Sequence, residues 1–275
     1  MRTSALLVLL LAATPLIAHP GIGIVIDSRG NLFYTDLEQV WRIAPDGTKS
    51  VAVPRVHTHE LVLDGADNLY GEHVWYEGEK TNRWGHYVWR RSLEGRVEKV
   101  IPPTAGFLTN YSFVRDRSGT MYWMDREHSQ VMKRLPDGRI VPHARAAFRD
   151  VRWMAATPNG TLYIIDRADL LRVAPGGAVS ALARNLSRPS VLHPDAGERH
   201  LLFGVWTDSH GDVYIADYAQ ARVLHRTAAG KITTAATSSW PWSPTGGVFA
   251  RNGDLWVLES SITNQVRVRR VRLQR

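Results

Sequence analysis

An all-β fold built from six copies of one four-stranded unit is what this sequence predicts, and three observations carry the prediction. First, a five-residue string recurs six times with an aromatic residue always second: LFYTD (32–36), LYGEH (69–73), MYWMD (121–125), LYIID (162–166), VYIAD (213–217) and LWVLE (255–259). Second, a tight-turn string precedes each copy: DSRGN, DGADN, DRSGT, TPNGT, DSHGD or ARNGD. Asx and Gly turns between short apolar runs are hairpin signals, because Asp and Asn side chains bond the backbone two residues on and Gly accepts positive φ. Third, Asp27 and Ala250 head the first and last of these turns. They lie 223 residues apart over five intervals, about 45 residues per unit. That period is the length of a four-stranded propeller blade, so the fold class is a six-bladed β-propeller forming a single domain over 19–275.

Each unit reads strand, turn, strand, loop, strand, turn, strand. The third-strand runs begin near Val40, Tyr87, Val131, Leu170, Val223 and Val266. Five of them pass a second Gly turn, at Gly47, Gly95, Gly138, Gly177 or Gly230, into one more short apolar run. The blades therefore fall at roughly 21–53, 57–101, 110–142, 150–183, 201–236 and 243–273. The sixth lacks the second Gly turn, so a three-stranded last blade is expected. Its edge would be guarded by the string VRVRRVRLQR, since charge on an edge strand opposes edge-to-edge pairing.

Ahead of the first blade, Arg2 precedes an apolar run from Ala5 to Ala18. The run is as long as a signal-peptide core and shorter than the roughly 20 residues of a spanning helix. Residues 1–18 thus read as a signal peptide, and the protein as periplasmic or secreted, without a membrane span. The absence of cysteine excludes disulfide frameworks, thiolate metal sites and cysteine nucleophiles. Lys and Arg outnumber Asp and Glu by 34 to 26, but the arginines are scattered except near the C-terminus. No basic stripe or nucleic-acid motif accompanies them, so no nucleic-acid partner is expected, and the protein reads as a monomer.

The strings GDVYIADYAQARVLHRTAAGKI and GNLFYTDLEQVWRIAPDGTKS resemble NHL-type repeats. The set of six resembles the superfamily that holds gluconolactonase-like lactonases, strictosidine-synthase-like proteins and the peptidyl-hydroxyglycine amidating lyase. The resemblance covers about residues 21–273 and implies the scaffold, which hosts lactonases, lyases and plain binding proteins alike. The Asn and Asp metal ligands of the lactonases are not evident, with Asn110 a lone candidate. DREHSQV places His128 after Asp125, much as the amidating lyase carries a zinc histidine.

In an up-and-down blade the first and third turns share one face of the disc, and here they are short throughout. The opposite connections are longer: Trp75–His86, Pro102–Asn110, Pro142–Asp150, Arg184–His200 and Thr237–Thr245. Long connections on a rigid scaffold tend to carry function. These hold Trp75, Trp84, Trp240 and Trp242, rings suited to a partly apolar ligand or to plugging the channel. A small-molecule ligand or a protein partner is expected on that face. The repeated Asp36, Asp125, Asp166 and Asp217 read as structural, each accepting N–H bonds from its following loop.

Blade two departs from the pattern. Its first strand enters as His57-Thr58-His59-Glu60, and folding this about the turn 64–68 pairs Leu63 with Leu69, Glu60 with Glu72 and His59 with His73. On that register His57, His59 and His73 share one face of the sheet, and Glu60 opposes Glu72 on the other. Three imidazoles could hold zinc, and the carboxylate pair would suit calcium. The alternative is a structural strand end, reached by a one-residue slip. The Trp75–His86 segment would then be a lid, with Trp75, Trp84 and Arg83 binding substrate and Glu77 or His86 as acid or base; Tyr76 and Glu79 lie in the same segment. No GxSxG elbow or phosphate-binding Gly loop exists. Two classes stay open: a metal-dependent, lactonase-like hydrolase or lyase acting on a small cyclic or hydroxylated substrate, and a non-catalytic binding propeller.

Overall fold

Short apolar runs in this chain alternate with turns that favour Gly or an Asx residue, which is what a meander of hairpins requires. The computed structural model describes residues 20–78, 80, 81, 83–105, 113–191 and 199–273. Blade one comprises β1 (Ile24–Ile26), β2 (Leu32–Thr35), β3 (Val40–Ile43) and β4 (Lys49–Val53). Blade two comprises β5 (Val62–Leu63), β6 (Leu69–Tyr76), β7 (Trp84–Arg91) and β8 (Val97–Ala105). Blade three has β9 (Phe113–Arg115), β10 (Met121–Asp125), β11 (Gln130–Arg134) and β12 (Ile140–Arg145), and blade four has β13 (Val151–Ala156), β14 (Leu162–Asp166), β15 (Asp169–Val173) and β16 (Val179–Ala183). Blade five is β17 (Leu202–Thr207), β18 (Val213–Asp217), β19 (Arg222–Arg226) and β20 (Ile232–Thr237). Blade six has three strands, β21 (Trp242–Phe249), β22 (Leu255–Ser261) and β23 (Val266–Val271), as its missing Gly turn predicts. Each blade is an antiparallel meander in chain order.

Four of the six blades share one turn chemistry, while blades four and six use Thr157 and Asn252 instead. Asp27 Oδ1 accepts the N–H groups of Arg29 and Asn31 at 3.0 and 2.8 Å, and Asp64, Asp116 and Asp208 repeat the bond two residues on. Gly30 and Gly47 sit at φ 82° and 87°, a conformation that a β-carbon would strain. The core lies between blades. Val257 and Leu255 pack against Tyr214 and Ile215 of blade five, while Leu258 packs against Ile24 and Tyr34 of blade one. Burial of these side chains closes the ring at blade six.

Two of the Asp residues that end second strands accept N–H groups of the following loop, as expected. Asp36 accepts the N–H groups of Glu38 and Gln39, and Asp125 that of His128. Asp166 differs in direction, taking the N–H groups of Arg149 and Asp150 from the preceding connection. In blade six Glu259 replaces Asp. The side chain is fully buried and receives Arg267 Nε at 2.6 Å, Arg269 Nε at 2.9 Å and Ser238 Oγ at 2.6 Å. Arg270 Nε reaches Asp254 at 2.7 Å. The arginines of the last strand are thus held by the blade's own carboxylates.

Several connections are shorter than the sequence suggests, because strands run into them: β8 takes in Pro102, β12 takes in Pro142, and β21 takes in Thr245. The signal-peptide segment 1–18 and Asn110 lie outside the described residues. Among the described residues no helix is long and apolar enough to cross a membrane.

Candidate functional site in blade two

The register of blade two decides which side chains meet. Leu63 pairs with Leu69 and Val62 with Tyr70, as the turn requires. Further in, the N–H of Val74 donates to the carbonyl of His57 at 3.0 Å, one residue out of that register. The same one-residue shift occurs on the innermost strands of blades four, five and six. A bulge there adds twist and lets six strands converge on a narrow axis. Its consequence is a change of face. His59 comes beside Glu72 rather than His73, with Nδ1 3.7 Å from Glu72 Oε1, and His57 stands 4.8 Å from His59, ring to ring.

His73 stays on the opposite face. Its Nδ1 accepts the N–H of His57 at 2.9 Å, and its ring stacks on Tyr87 at 4.8 Å and lies 6.1 Å from Trp75. The expected trio of imidazoles is therefore not assembled, and Glu60 does not oppose Glu72 but lines the central channel. Among the described residues no three His, Asp or Glu side chains are arranged to hold a metal ion. What assembles instead is His57, His59, Glu72 and His86 on one face, with His86 opposite Val74 in the β6–β7 ladder.

A hydrogen-bonded clamp fixes this arrangement. Thr58 Oγ1 donates to the carbonyl of Glu72, and Trp89 Nε1 donates to Thr58 Oγ1 at 3.1 Å. Thr35 Oγ1 holds the Thr58 carbonyl at 2.7 Å, and the N–H groups of Ile22 and Gly23 hold that of His59. Gly71 is required because a β-carbon would lie 2.3 Å from the Trp89 ring and 2.8 Å from Thr58 Cγ2.

The electrostatics follow from burial. Glu72 is 8% exposed, and burial pushes its pKa up to about 7 against the opposing pull of His86 and His57. Burial, helped by His57, pushes His59 down to about 3. Burial also lowers His57, despite a bond to the Leu37 carbonyl and the charge of Glu72. His73 is lowered by burial, with electrostatic contributions from His57 and Lys99 in the same direction. Near neutrality, a carboxyl able to gain or lose a proton sits beside the neutral imidazole of His59.

The segment read as a lid is a strand extension. β6 and β7 pair as far as Tyr76 with Trp84, so the hairpin stands proud of the disc on the long-loop face. Strand alternation puts Tyr76, Trp84, His86 and Glu72 on one side, with the Tyr76 and Trp84 rings 4.4 Å apart. Trp75 is on the other side, packed over Gly85. Glu77 and Arg83 pair with each other at 2.6 Å in solvent and do not reach the cluster; Glu79 lies outside the described residues. His128 is exposed and bonds Asp125 Oδ2 at 2.8 Å. Trp240 is 70% exposed, and Trp242 lies under the Arg267 guanidinium.

The channel is plugged by residues the sequence reading missed. Trp153 and Phe203 stack at 5.5 Å, and His59 lies 6.3 Å from Trp153. Each is at most 2% exposed. Beyond this plug a cavity of about 1580 Å³ opens on the short-turn face, lined by the inner strands of all six blades. Trp153 and Phe203 lie on the first strands of blades four and five, but first strands elsewhere also carry rings, such as Phe113 and Phe249, so the sequence held no mark that singles out the plug.

No protein-family model matches the chain, and no curated protein matches it in sequence. Among solved structures it is similar to virginiamycin B lyase from Staphylococcus aureus, with TM-score 0.54 and 12% identity over 93% of this chain and 85% of that one. It is similar to a putative gluconolactonase, with TM-score 0.60 and 15% identity over 91% and 90% of the two chains. It is also similar to an auxiliary nutrient binding protein from Bacteroides ovatus, with TM-score 0.65 and 10% identity over 93% and 70%. At these identities the likeness shows the fold: the chain is a six-bladed β-propeller of the architecture shared by a lyase, a putative lactonase and a nutrient-binding protein.

Proposed function

We propose that this propeller is an exported hydrolase or lyase that moves a proton on a small cyclic or hydroxylated substrate held against blade two. The observation that carries the reading is the placing of the Glu72 carboxyl among His57, His59 and His86, on the side of the hairpin where Tyr76 and Trp84 offer an aromatic seat. In an elimination, the Glu72 carboxylate would take a proton from carbon and, once protonated, return it to the leaving oxygen. In a lactone opening, the same carboxylate would take a proton from the attacking water and pass it to the departing alkoxide. The presence of a lyase and a putative gluconolactonase among the proteins of like fold supports this class without naming a substrate.

The test is a panel of lactones, esters and substrates bearing an acidic C–H next to a leaving group, with Glu72→Gln beside the unaltered protein. Loss of kcat/KM by about 100-fold or more, with an unchanged fold, is expected. Equal turnover in the variant would remove Glu72 from the chemistry. A chelator arm addresses metal: activity lost on chelation and restored by zinc or calcium would replace this side-chain reading. A second reading, a binding propeller without chemistry, is favoured by the burial of His59, Glu72 and His86, each under 10% exposed. No turnover by the unaltered protein on any panel member would select it.

A further inference from the structure

We infer that the central channel, which opens on the face opposite the blade-two cluster, binds an acidic oligosaccharide. This site stands whether or not blade two is catalytic. Its size comes first. At about 1580 Å³ the cavity exceeds the roughly 300–1000 Å³ that suits a drug-sized molecule, so a chain of several units fits it better than a single ring. It is blind, because Trp153, Phe203 and His59 close its inner end. The cavity runs on from the short-turn mouth into the groove between blades five and six, where Thr233, Thr234 and Arg272 line it, so an extended occupant would enter at the mouth and lie along that groove.

The lining sets the chemistry. Arg251 and Arg272 of blade six line the cavity together with Arg115 of blade three, whose guanidinium lies over the Tyr70 ring, against two carboxylates, Asp208 at the mouth and Glu60 further in. Asp208 is already engaged by the N–H groups of His210 and Asp212 at 2.9 and 3.0 Å. The mouth therefore favours an anion, and guanidinium groups match carboxylates. Trp206 also lines the cavity. It is 8% exposed, yet its indole N–H has no acceptor among the described residues. A buried donor without a partner is costly unless a ligand oxygen supplies one. Thr233 and Thr234 expose further hydroxyls along the groove that blade six, with three strands, leaves uncovered. Hydroxyl-rich units with carboxylates satisfy the indole N–H, the threonines and the arginines together, and their C–H faces can lie on the apolar wall.

The experiment is calorimetric titration of the full chain with trigalacturonate, with galactotriose as the neutral match and tetraglutamate as an acidic chain without sugar. Trigalacturonate is expected to bind at least roughly tenfold more tightly than either. Its affinity should fall between about 20 and about 200 mM NaCl. The double variant Arg251→Gln with Arg272→Gln, both exposed, should weaken it roughly tenfold, and Trp206→Phe should weaken it a few-fold. Glu72→Gln should leave it unchanged, which separates this site from blade two. Absence of trigalacturonate binding, equal binding of galactotriose or tetraglutamate, or indifference to the double arginine variant would each overturn the proposal.

Discussion

Replacing Glu259 by Gln removes one negative charge from blade six while keeping its shape, and the structure fixes what that should cost. The carboxylate is fully buried and takes bonds from Arg267, Arg269 and Ser238 at 2.6, 2.9 and 2.6 Å. Removing one partner of a buried ion pair costs about 3–5 kcal/mol, because the other charge is stranded. Here the two arginine side chains are 35% and 33% exposed, so water recovers part of their solvation, and about 2–3 kcal/mol remains. For a domain of this size that is a fall in Tm of about 5–8 °C. The loss should also depend on pH. Burial alone would raise the Glu259 pKa, but bonds from Arg269, Ser238 and Arg267 outweigh it and hold it below the usual glutamate value. A carboxyl lowered in the folded state stabilises fully above its unfolded pKa of about 4.5 and loses that contribution as pH falls through the folded value. Urea unfolding followed by circular dichroism should therefore show the full gap between the two proteins at pH 7 and a shrinking one below about pH 4.5. A loss under about 0.5 kcal/mol at pH 7, or a gap that does not shrink in acid, would refute the reasoning.

Three further outcomes follow from the packing and the cluster. Gly71→Ala should cost about 1–3 kcal/mol in urea unfolding, since its β-carbon would displace Trp89 from Thr58 and release the clamp on the 57–60 segment. Glu72→Gln should alter stability in the sense opposite to Glu259→Gln. A carboxyl raised to about 7 costs the folded state progressively as pH rises from about 4.5, so the variant should match the unaltered protein at pH 4.5 and exceed it at pH 8 in thermal melts. Deleting residues 266–275 strips β23 from blade six and exposes β22, whose Leu255, Val257 and Leu258 are fully buried. No cooperative melt should survive, and a truncated chain that melts at the full-length temperature would contradict the blade assignment.

The fold was legible because it rests on local chemistry repeated six times. Turn strings such as DSRGN and DRSGT name their own hydrogen bonds, and the aromatic second position of each following strand fixes the hairpin register at the turn. The three strands of blade six were legible from a Gly turn that is missing. The site was legible only in part. His57, His59, Glu72 and His86 do meet, but the grouping expected from simple alternation put both imidazoles with His73. A bulge inserts one residue on one strand alone, and alternation carries no mark of it. The shift recurs near Val151, Leu202 and Pro244, and similar shifts separate the third and fourth strands of blades one to five, so it goes with the twist of the whole blade, which no single hairpin reveals. The Trp75–His86 segment was misread for a related reason. Its ring-rich, charged composition looks like a loop, yet cross-strand pairs such as Tyr76 with Trp84 carry the ladder outward.

The proposed chemistry requires that the fold hold Glu72 as a proton-exchanging group beside His57, His59 and His86. Its most direct test is a pH titration of the Glu72 side-chain carboxyl by ¹³C NMR in glutamate-labelled protein, with the signal assigned by its absence in Glu72→Gln. A midpoint of about 7 is expected, displaced by burial from the usual glutamate value. A midpoint at or below about 4.5 would mean an ordinary, water-exposed carboxylate and would contradict the site.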